Sequence, residues 1–220
     1  MRTNHLRRTL GRSTLLAPAL LGAFLAGATA SAVALEEYMA TNVPPLKAEV
    51  KFIGGPGLMP VNRAFVSCGT NKFTFLMPEG YRLESSDPQK LTLASADLKC
   101  LITFRVRNPI PPEATELDPE YFRQLLLSRH PGGKILETFS LSAVGRRGPA
   151  FDMRWDGAGG LARQERSLFV LSTAGVLEFS LISSLDRIIA GRQDFDAVVV
   201  SFRASDDRGK LVVPVISNQL

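Results

Sequence analysis

The amino-acid sequence predicts an α+β domain in which an antiparallel sheet of about six to seven strands packs with two helices. Apolar and polar residues alternate in about seven segments between residues 67 and 184, which is the spacing of strands with one buried face. Most links between these segments are short and contain glycine, and short links join antiparallel neighbours. Two further segments carry apolar residues at helical spacing.

Residues 1–34 have the features of a secretory leader. Arginines without any acidic residue come first, an uncharged apolar stretch follows, and small residues at a spacing of two extend to Ala34. This order is typical of a signal peptide. The apolar stretch is about 15 residues long, whereas a bilayer-spanning helix needs roughly 20. We therefore expect cleavage and an extracytoplasmic protein, periplasmic or secreted; the alternative is an uncleaved membrane anchor.

The charge of the chain belongs largely to this leader. The whole chain has 26 basic and 21 acidic residues, hence a net charge of +5, and four of the basic residues lie in 1–34. The remainder carries only +1, and nucleic-acid binding usually needs a clear basic excess. No nucleic-acid partner is predicted, and membrane contact is expected only through an uncleaved leader.

The chain after the leader is predicted to have three parts. Residues 35–66 are expected to form a linker or a loosely docked arm, because prolines and glycines interrupt them repeatedly. The α/β domain is placed at 67–204 and a C-terminal tail at 205–220.

The strands of the domain are marked by apolar residues that alternate with polar ones. In chain order these residues are Phe73 and Phe75; Leu91 and Leu93; Ile102, Phe104 and Val106; Ile135, Phe139, Leu141 and Ala143; Phe151, Met153 and Trp155; the run Leu168 to Ser172; and Leu177, Phe179 and Leu181.

Two helices interrupt this series. Asp118 and Pro119 form a capping residue followed by proline at the first helical position, and Pro131 ends the first helix. The second is placed at 194–203, with a strand as the alternative. Helical spacing is seen in Phe122, Leu125 and Leu126, and then in Phe195, Val198, Val199 and Phe202.

Two short segments carry a resemblance to a known fold. Phe75 to Tyr81 leads from a phenylalanine-rich strand into Pro-Glu-Gly, and Phe195 to Arg203 is a closing helix that ends in Ser-Phe-Arg. With the order of elements, they make 67–204 resemble the PsbP-like fold of extrinsic photosystem II subunits and many bacterial domains. The resemblance implies an antiparallel sheet packed with helices (a PsbP-like sandwich). No functional residue of that family can be matched position by position in this chain, and because proteins of this fold do unrelated jobs, the resemblance does not identify the function.

The chain has two cysteines, Cys68 and Cys100. Two cysteines in an oxidising compartment favour one disulfide, which would stabilise the fold by roughly 3 to 4 kcal/mol according to the loop-entropy model. Two unpaired buried thiols are the alternative. The spacing is not that of a C-x-x-C pair, so no redox activity is expected.

No catalytic, cofactor or metal site is predicted. His130 is the one histidine after the leader, and it precedes Pro131 where a basic residue suits the end of a helix. A serine triad would need His130, but no G-x-S-x-G motif is present. One histidine and two separated cysteines do not match the spacing of a zinc site.

The polar sides of the strands are a candidate contact surface for a partner protein, with ordinary solvated sheet as the alternative. If the strands are neighbours, these residues form one mixed-charge face: Thr103, Arg105, Arg107, Asp152, Arg154 and Glu178. The predicted function is a non-enzymatic extracytoplasmic domain that binds a protein or assists an envelope complex. Two alternatives stay open: a hydrolase or other enzyme built from scattered carboxylates, and a carrier of a small apolar ligand.

Overall fold

The computed structural model describes residues 43–55, 58–107 and 116–205. The predicted leader and nearly all of the predicted tail lie outside these ranges. Within them the chain forms strands in two antiparallel sheets and two α-helices, which confirms the predicted α+β class. Over the same ranges, the helices are too short or too polar to span a bilayer.

The larger sheet has seven strands, and each pairs antiparallel with its neighbours. Their order across the sheet is β4 (Tyr81–Asp87), β5 (Lys90–Ser95), β6 (Cys100–Arg107), β10 (Gly175–Ser184), β9 (Ala162–Ser172), β8 (Arg146–Asp156) and β7 (Lys134–Ala143).

The smaller sheet has four antiparallel strands in the order β1 (Leu46–Gly55), β2 (Leu58–Cys68), β3 (Asn71–Leu76) and β11 (Arg203–Ser205). β1 and β2 occupy much of the region predicted to be a linker or arm, and here the structure differs from the prediction. Ala64 and Val66 of β2 are buried in the main core. Of the described residues, Pro44 and Pro45 precede β1, Gly54 and Gly55 end it, and Pro60 is the third residue of β2. These residues lie at or near the strand ends, where they do not prevent the strands from forming.

The main core lies between the two sheets and helix α2 (Ile188–Ser201). Phe202, at the end of α2, packs its ring 5.0 Å from that of Phe104 in the larger sheet. The same ring stacks on Phe75 of the smaller sheet, at 5.7 Å. Aromatic residues dominate the burial of such a core, so Phe202 joins all three elements. The helix predicted over 194–203 is present, but it begins earlier, at Ile188, and ends at Ser201, and Arg203 belongs to β11.

A second core covers the opposite face of the larger sheet. Helix α1 (Pro119–Arg129) places Phe122 and Leu126 against this face, and Phe122 stacks on Phe169 of β9 at 4.2 Å. Asp118 begins α1 as predicted, because its side chain accepts a hydrogen bond from the Glu120 N–H at 2.9 Å. The larger sheet is therefore covered by α1 on one face and by α2 with the smaller sheet on the other.

Candidate functional site

The face of the larger sheet beneath α1 changes from apolar to polar along its strands. Phe151 and Phe169 pack under the helix. Near and beyond the C-terminal end of α1, the buried residues of the neighbouring strands are polar: Glu178, Ser180 and Glu165. Buried polar groups need hydrogen-bond partners. The C-terminal end of α1 and the residue after it supply partners for Glu178 and Glu165, and Thr103 of β6 supplies one for Ser180.

Glu178, in the middle of β10, is held by two arginines. Its side chain is 2% exposed, and it accepts hydrogen bonds from Arg129 of α1 at 2.6 and 3.2 Å. Arg107 of β6 donates its Nε–H to the same carboxylate. Charge-assisted bonds of this kind are stronger than neutral ones. Arg129 therefore fixes the end of α1 to the centre of the sheet, and Arg107 joins β6 to β10 at the same carboxylate.

His130, the residue that follows α1, contacts a second buried carboxylate. Its Nε2 lies 3.0 Å from Glu165 Oε2, and its ring stacks on Trp155 at 3.9 Å. Ser167 donates its hydroxyl to the other oxygen of Glu165 at 2.5 Å. A serine nucleophile needs its hydroxyl bonded to the base. Since Ser167 and His130 both bond to Glu165, this set is not arranged as a serine triad.

A third buried carboxylate, Asp152, lies on the opposite face of the larger sheet. Arg166 of β9 donates two hydrogen bonds to it, both at 2.9 Å, and Arg192 of α2 donates one at 2.6 Å. The hydrogen bond to Asp152 raises the pKa of the Arg166 guanidinium. The arrangement fixes α2 to the sheet, as Glu178 fixes α1.

A groove opens at the other end of α1, where the helix begins beside the β7–β8 hairpin. Its volume is about 530 Å³. Its apolar lining residues include Leu117 before α1, Pro149 of β8 and Leu171 of β9. The other lining residues are Glu116, Pro119, Thr138, Phe139, Ser140, Arg146, Arg147 and Gly148.

Two arginines at the hairpin give this groove its charge. Arg146 and Arg147 are exposed, and in the described ranges neither forms a salt bridge. Glu116 is the single acidic residue of the lining. The groove can therefore accept a carboxylate or another anionic group beside apolar side chains.

The six residues of the predicted contact surface do not share one face. Residues that are paired directly across neighbouring strands lie on the same face of a sheet. Glu178 is paired with Phe169, which lies on the α1 face. Asp152 is paired with Arg166, which is paired in turn with Leu181 of the main core, so Asp152 lies on the other face. Strand parity thus places Thr103, Arg105, Arg107 and Glu178 beneath α1, and Asp152 and Arg154 on the α2 side.

Most of these six residues are also buried. Arg107, Asp152 and Glu178 are between 2 and 6% exposed, and Thr103 bonds to Ser180 at 2.7 Å. Only Arg105 and Arg154 of this set reach solvent appreciably. Alternation assigns faces within a strand, but it does not relate the faces of strands that are distant in sequence. The set is therefore not the single mixed-charge surface that was predicted.

The predicted disulfide between Cys68 and Cys100 is not formed. Both cysteines are free and buried, which is the alternative stated above. The Cys68 thiol donates to the Pro44 carbonyl at 3.3 Å, and the Cys100 thiol lies 3.4 Å from the Ser183 hydroxyl. Each sulfur has its own polar partner, so the number of cysteines and the expected compartment did not determine their pairing.

We expect alkylation of the unreduced, denatured protein to label both cysteines. In the native protein Cys68 should react slowly at neutral pH, because burial raises the pKa of its thiol and leaves little thiolate. Its reaction should accelerate as the pH rises toward that pKa. Mass spectrometry of the alkylated chain measures this, and an unlabelled chain two hydrogen masses lighter would contradict it.

Sequence reasoning missed Arg129 and Glu165, which complete the two buried polar clusters on the α1 face. The sequence did contain a sign of buried polar contacts at Glu178, because this carboxylate lies between Leu177 and Phe179 in an otherwise apolar strand. The described side chains include no cluster of three or more His, Cys, Asp or Glu that could hold an ion.

No family model and no curated protein matches this chain. Solved structures do resemble it. PsbP from the cyanobacterium Synechocystis sp. PCC 6803 is similar over 74% of this chain and 94% of its own, with 15% identity and a TM-score of 0.46. LpqN of Mycobacterium tuberculosis, described as involved in cell envelope biogenesis, is similar over 77% and 96%, with 13% identity and a TM-score of 0.40.

A Pseudomonas aeruginosa protein of unknown function is similar over 57% of this chain and 90% of its own, with 16% identity and a TM-score of 0.35. A PsbP is thus among the solved structures similar to this chain. At these identities and scores the likeness concerns the fold, and no activity, partner or location passes from those proteins to this one.

Proposed function

We propose that this is an exported, non-enzymatic accessory protein that binds an acidic segment of a partner protein. The binding site is the groove between the start of α1 and the β7–β8 hairpin. The observation that carries the proposal is the pair Arg146 and Arg147, two exposed cations without a salt bridge in the described ranges, at the edge of a groove of about 530 Å³.

The chemistry of the groove selects the partner. An arginine guanidinium binds a carboxylate through two parallel hydrogen bonds, and the apolar lining residues Leu117, Pro149 and Leu171 can contact an aliphatic or aromatic side chain. A segment with Asp or Glu next to an apolar residue satisfies both requirements. Because the arginines are exposed, salt should weaken the complex.

Two further observations support this function. The buried carboxylates Glu178, Glu165 and Asp152 are each bonded to a cation, a histidine or a hydroxyl of the same chain, so they serve as joints between elements instead of facing a substrate. The secretory pattern of residues 1–34 supports an extracytoplasmic location.

Photocrosslinking in the cells that produce the protein tests this proposal. A photoreactive amino acid at Ser140, an exposed residue of the groove lining, should yield a crosslinked partner. The same amino acid at Gln193, exposed on α2, is the matched control and should not. The protein should be recovered from the extracytoplasmic fraction with its N-terminus near residue 35.

The partner found in this way then permits a direct affinity measurement. We expect Arg147→Glu to weaken binding by about tenfold or more, because it places a repelling charge where a guanidinium stood. Arg154→Glu makes the same charge change on the same strand outside the groove and should change the affinity little. Equal crosslinking from Ser140 and Gln193, or unchanged affinity of Arg147→Glu, would refute the groove as the binding site.

A further inference from the structure

β1 is an outer strand of the smaller sheet, and it exposes apolar side chains along that edge. It pairs with β2 on one side and with no other described strand. Val50 is 41% exposed and Phe52 is 71% exposed. A long outer strand of this kind can pair with another chain, and proteins usually protect such edges.

The backbone groups on this edge can be assigned from one hydrogen bond. The Leu46 N–H donates to the Pro88 carbonyl, in the turn between β4 and β5, at 2.7 Å, so it points away from β2. Because N–H and C=O directions alternate along an antiparallel strand, the backbone groups of Ala48, Val50 and Phe52 also point to the free edge.

We propose that β1 pairs with β1 of a second copy of this chain, antiparallel, on a two-fold axis through Val50. Val50 then faces its own counterpart, and Ala48 faces Phe52 of the other copy. These are the residues whose backbone groups point outward, so each pair can exchange two backbone hydrogen bonds. The smaller sheets of the two copies become one continuous sheet.

The charged side chains of β1 favour this register. Glu49 and Lys51 lie on the other face of the strand and form an exposed ion pair at 2.6 Å. In the Val50-centred register Glu49 faces Lys51 of the other copy, twice. Moving the axis to Glu49 or Lys51 would instead place like charges opposite each other, which destabilises a strand pair.

The apolar face agrees with the same register. Leu46 and Ala48 pack partly against the main core, so Val50 and Phe52, two and four residues further on, share that side of the strand. Pairing places the large exposed ring of Phe52 over the small Ala48 side chain of the other copy. A second copy therefore covers the apolar residues that the domain leaves exposed on β1.

Charge reversals on β1 test the proposed pairing of the strands. Light scattering during gel filtration, over a range of protein concentrations, measures the dimer dissociation constant of each variant. Lys51→Glu places Glu opposite Glu at both positions and should raise the dimer dissociation constant by at least about tenfold. The double variant Glu49→Lys with Lys51→Glu restores opposite charges and should restore dimerisation. Lys134→Glu, the same reversal at an exposed residue of the other sheet, should have no effect.

Crosslinking tests the two-fold axis. Cα atoms of directly opposed residues in a hydrogen-bonded antiparallel pair are about 5.5 Å apart, within the range of a disulfide. Val50→Cys should therefore form a covalent dimer on mild oxidation, whereas Val61→Cys, equally exposed on β2, should not. A native protein that stays monomeric at every concentration, or a Val50→Cys variant that does not crosslink, overturns the proposal.

Discussion

Replacing Glu178 with glutamine is expected to lower the free energy of unfolding by about 3 to 5 kcal/mol. The change keeps the shape of the side chain and removes the negative charge between Arg107 and Arg129, whose side chains are 7% and 16% exposed. Two guanidinium groups would remain buried together without the carboxylate that stabilises them. Equilibrium unfolding in urea, monitored by the fluorescence of Trp155, measures the loss.

Two further variants separate this charge effect from a general sensitivity of the fold. Glu120→Gln removes an exposed carboxylate of α1 that pairs with Arg123, and it should change stability little. Replacing Glu178, Arg107 and Arg129 together with apolar residues should recover much of the loss, because no buried charge then remains. Full native stability of Glu178→Gln would contradict the assignment of Glu178 as the joint between α1 and the sheet.

The sequence predicted six of the seven strands of the larger sheet, all except β4, because period-two alternation follows from the geometry of a strand alone. In β8, Phe151 and Met153 lie on the α1 face as their spacing requires. The same rule could not show that Glu178 is buried. Glu178 lies on the polar side of β10. That side is buried because α1, which is distant in sequence, packs over it.

The start of α2 was missed for a related reason. Gly191 interrupts the helical pattern, and glycine has low helix propensity. In the structure an added Cβ at Gly191 would lie 3.1 Å from the Cys100 sulfur and 3.2 Å from a Leu181 methyl. Gly191 thus allows α2 to pack closely on β6 and β10. This requirement of tertiary packing outweighs the low helix propensity of glycine.

The groove could not be predicted from sequence either. Its lining comes from β7, β8, β9 and the start of α1, which are separate segments of the chain.

Replacing Gly148 with alanine is expected to lower the free energy of unfolding by about 3 kcal/mol. A Cβ at this position of β8 would lie 1.8 Å from the carbonyl oxygen of Phe169 and 2.9 Å from its carbonyl carbon. Both are backbone atoms, so no side-chain rotation relieves the clash, and β9 itself must move. The ring of Phe169 stacks on Phe122, so this movement should also loosen α1. Urea unfolding measures the stability, and amide exchange in α1 measures the loosening.

Gly157→Ala, just beyond the other end of β8, is the matched control. Its φ of −77° suits alanine, and its nearest contact from an added Cβ is 3.3 Å, to the Leu161 carbonyl oxygen. Losing a glycine also reduces the freedom of the unfolded chain, so Gly157→Ala should change stability little. If Gly148→Ala, like Gly157→Ala, kept the stability of the native protein, the close approach of β8 and β9 at Gly148 would be contradicted.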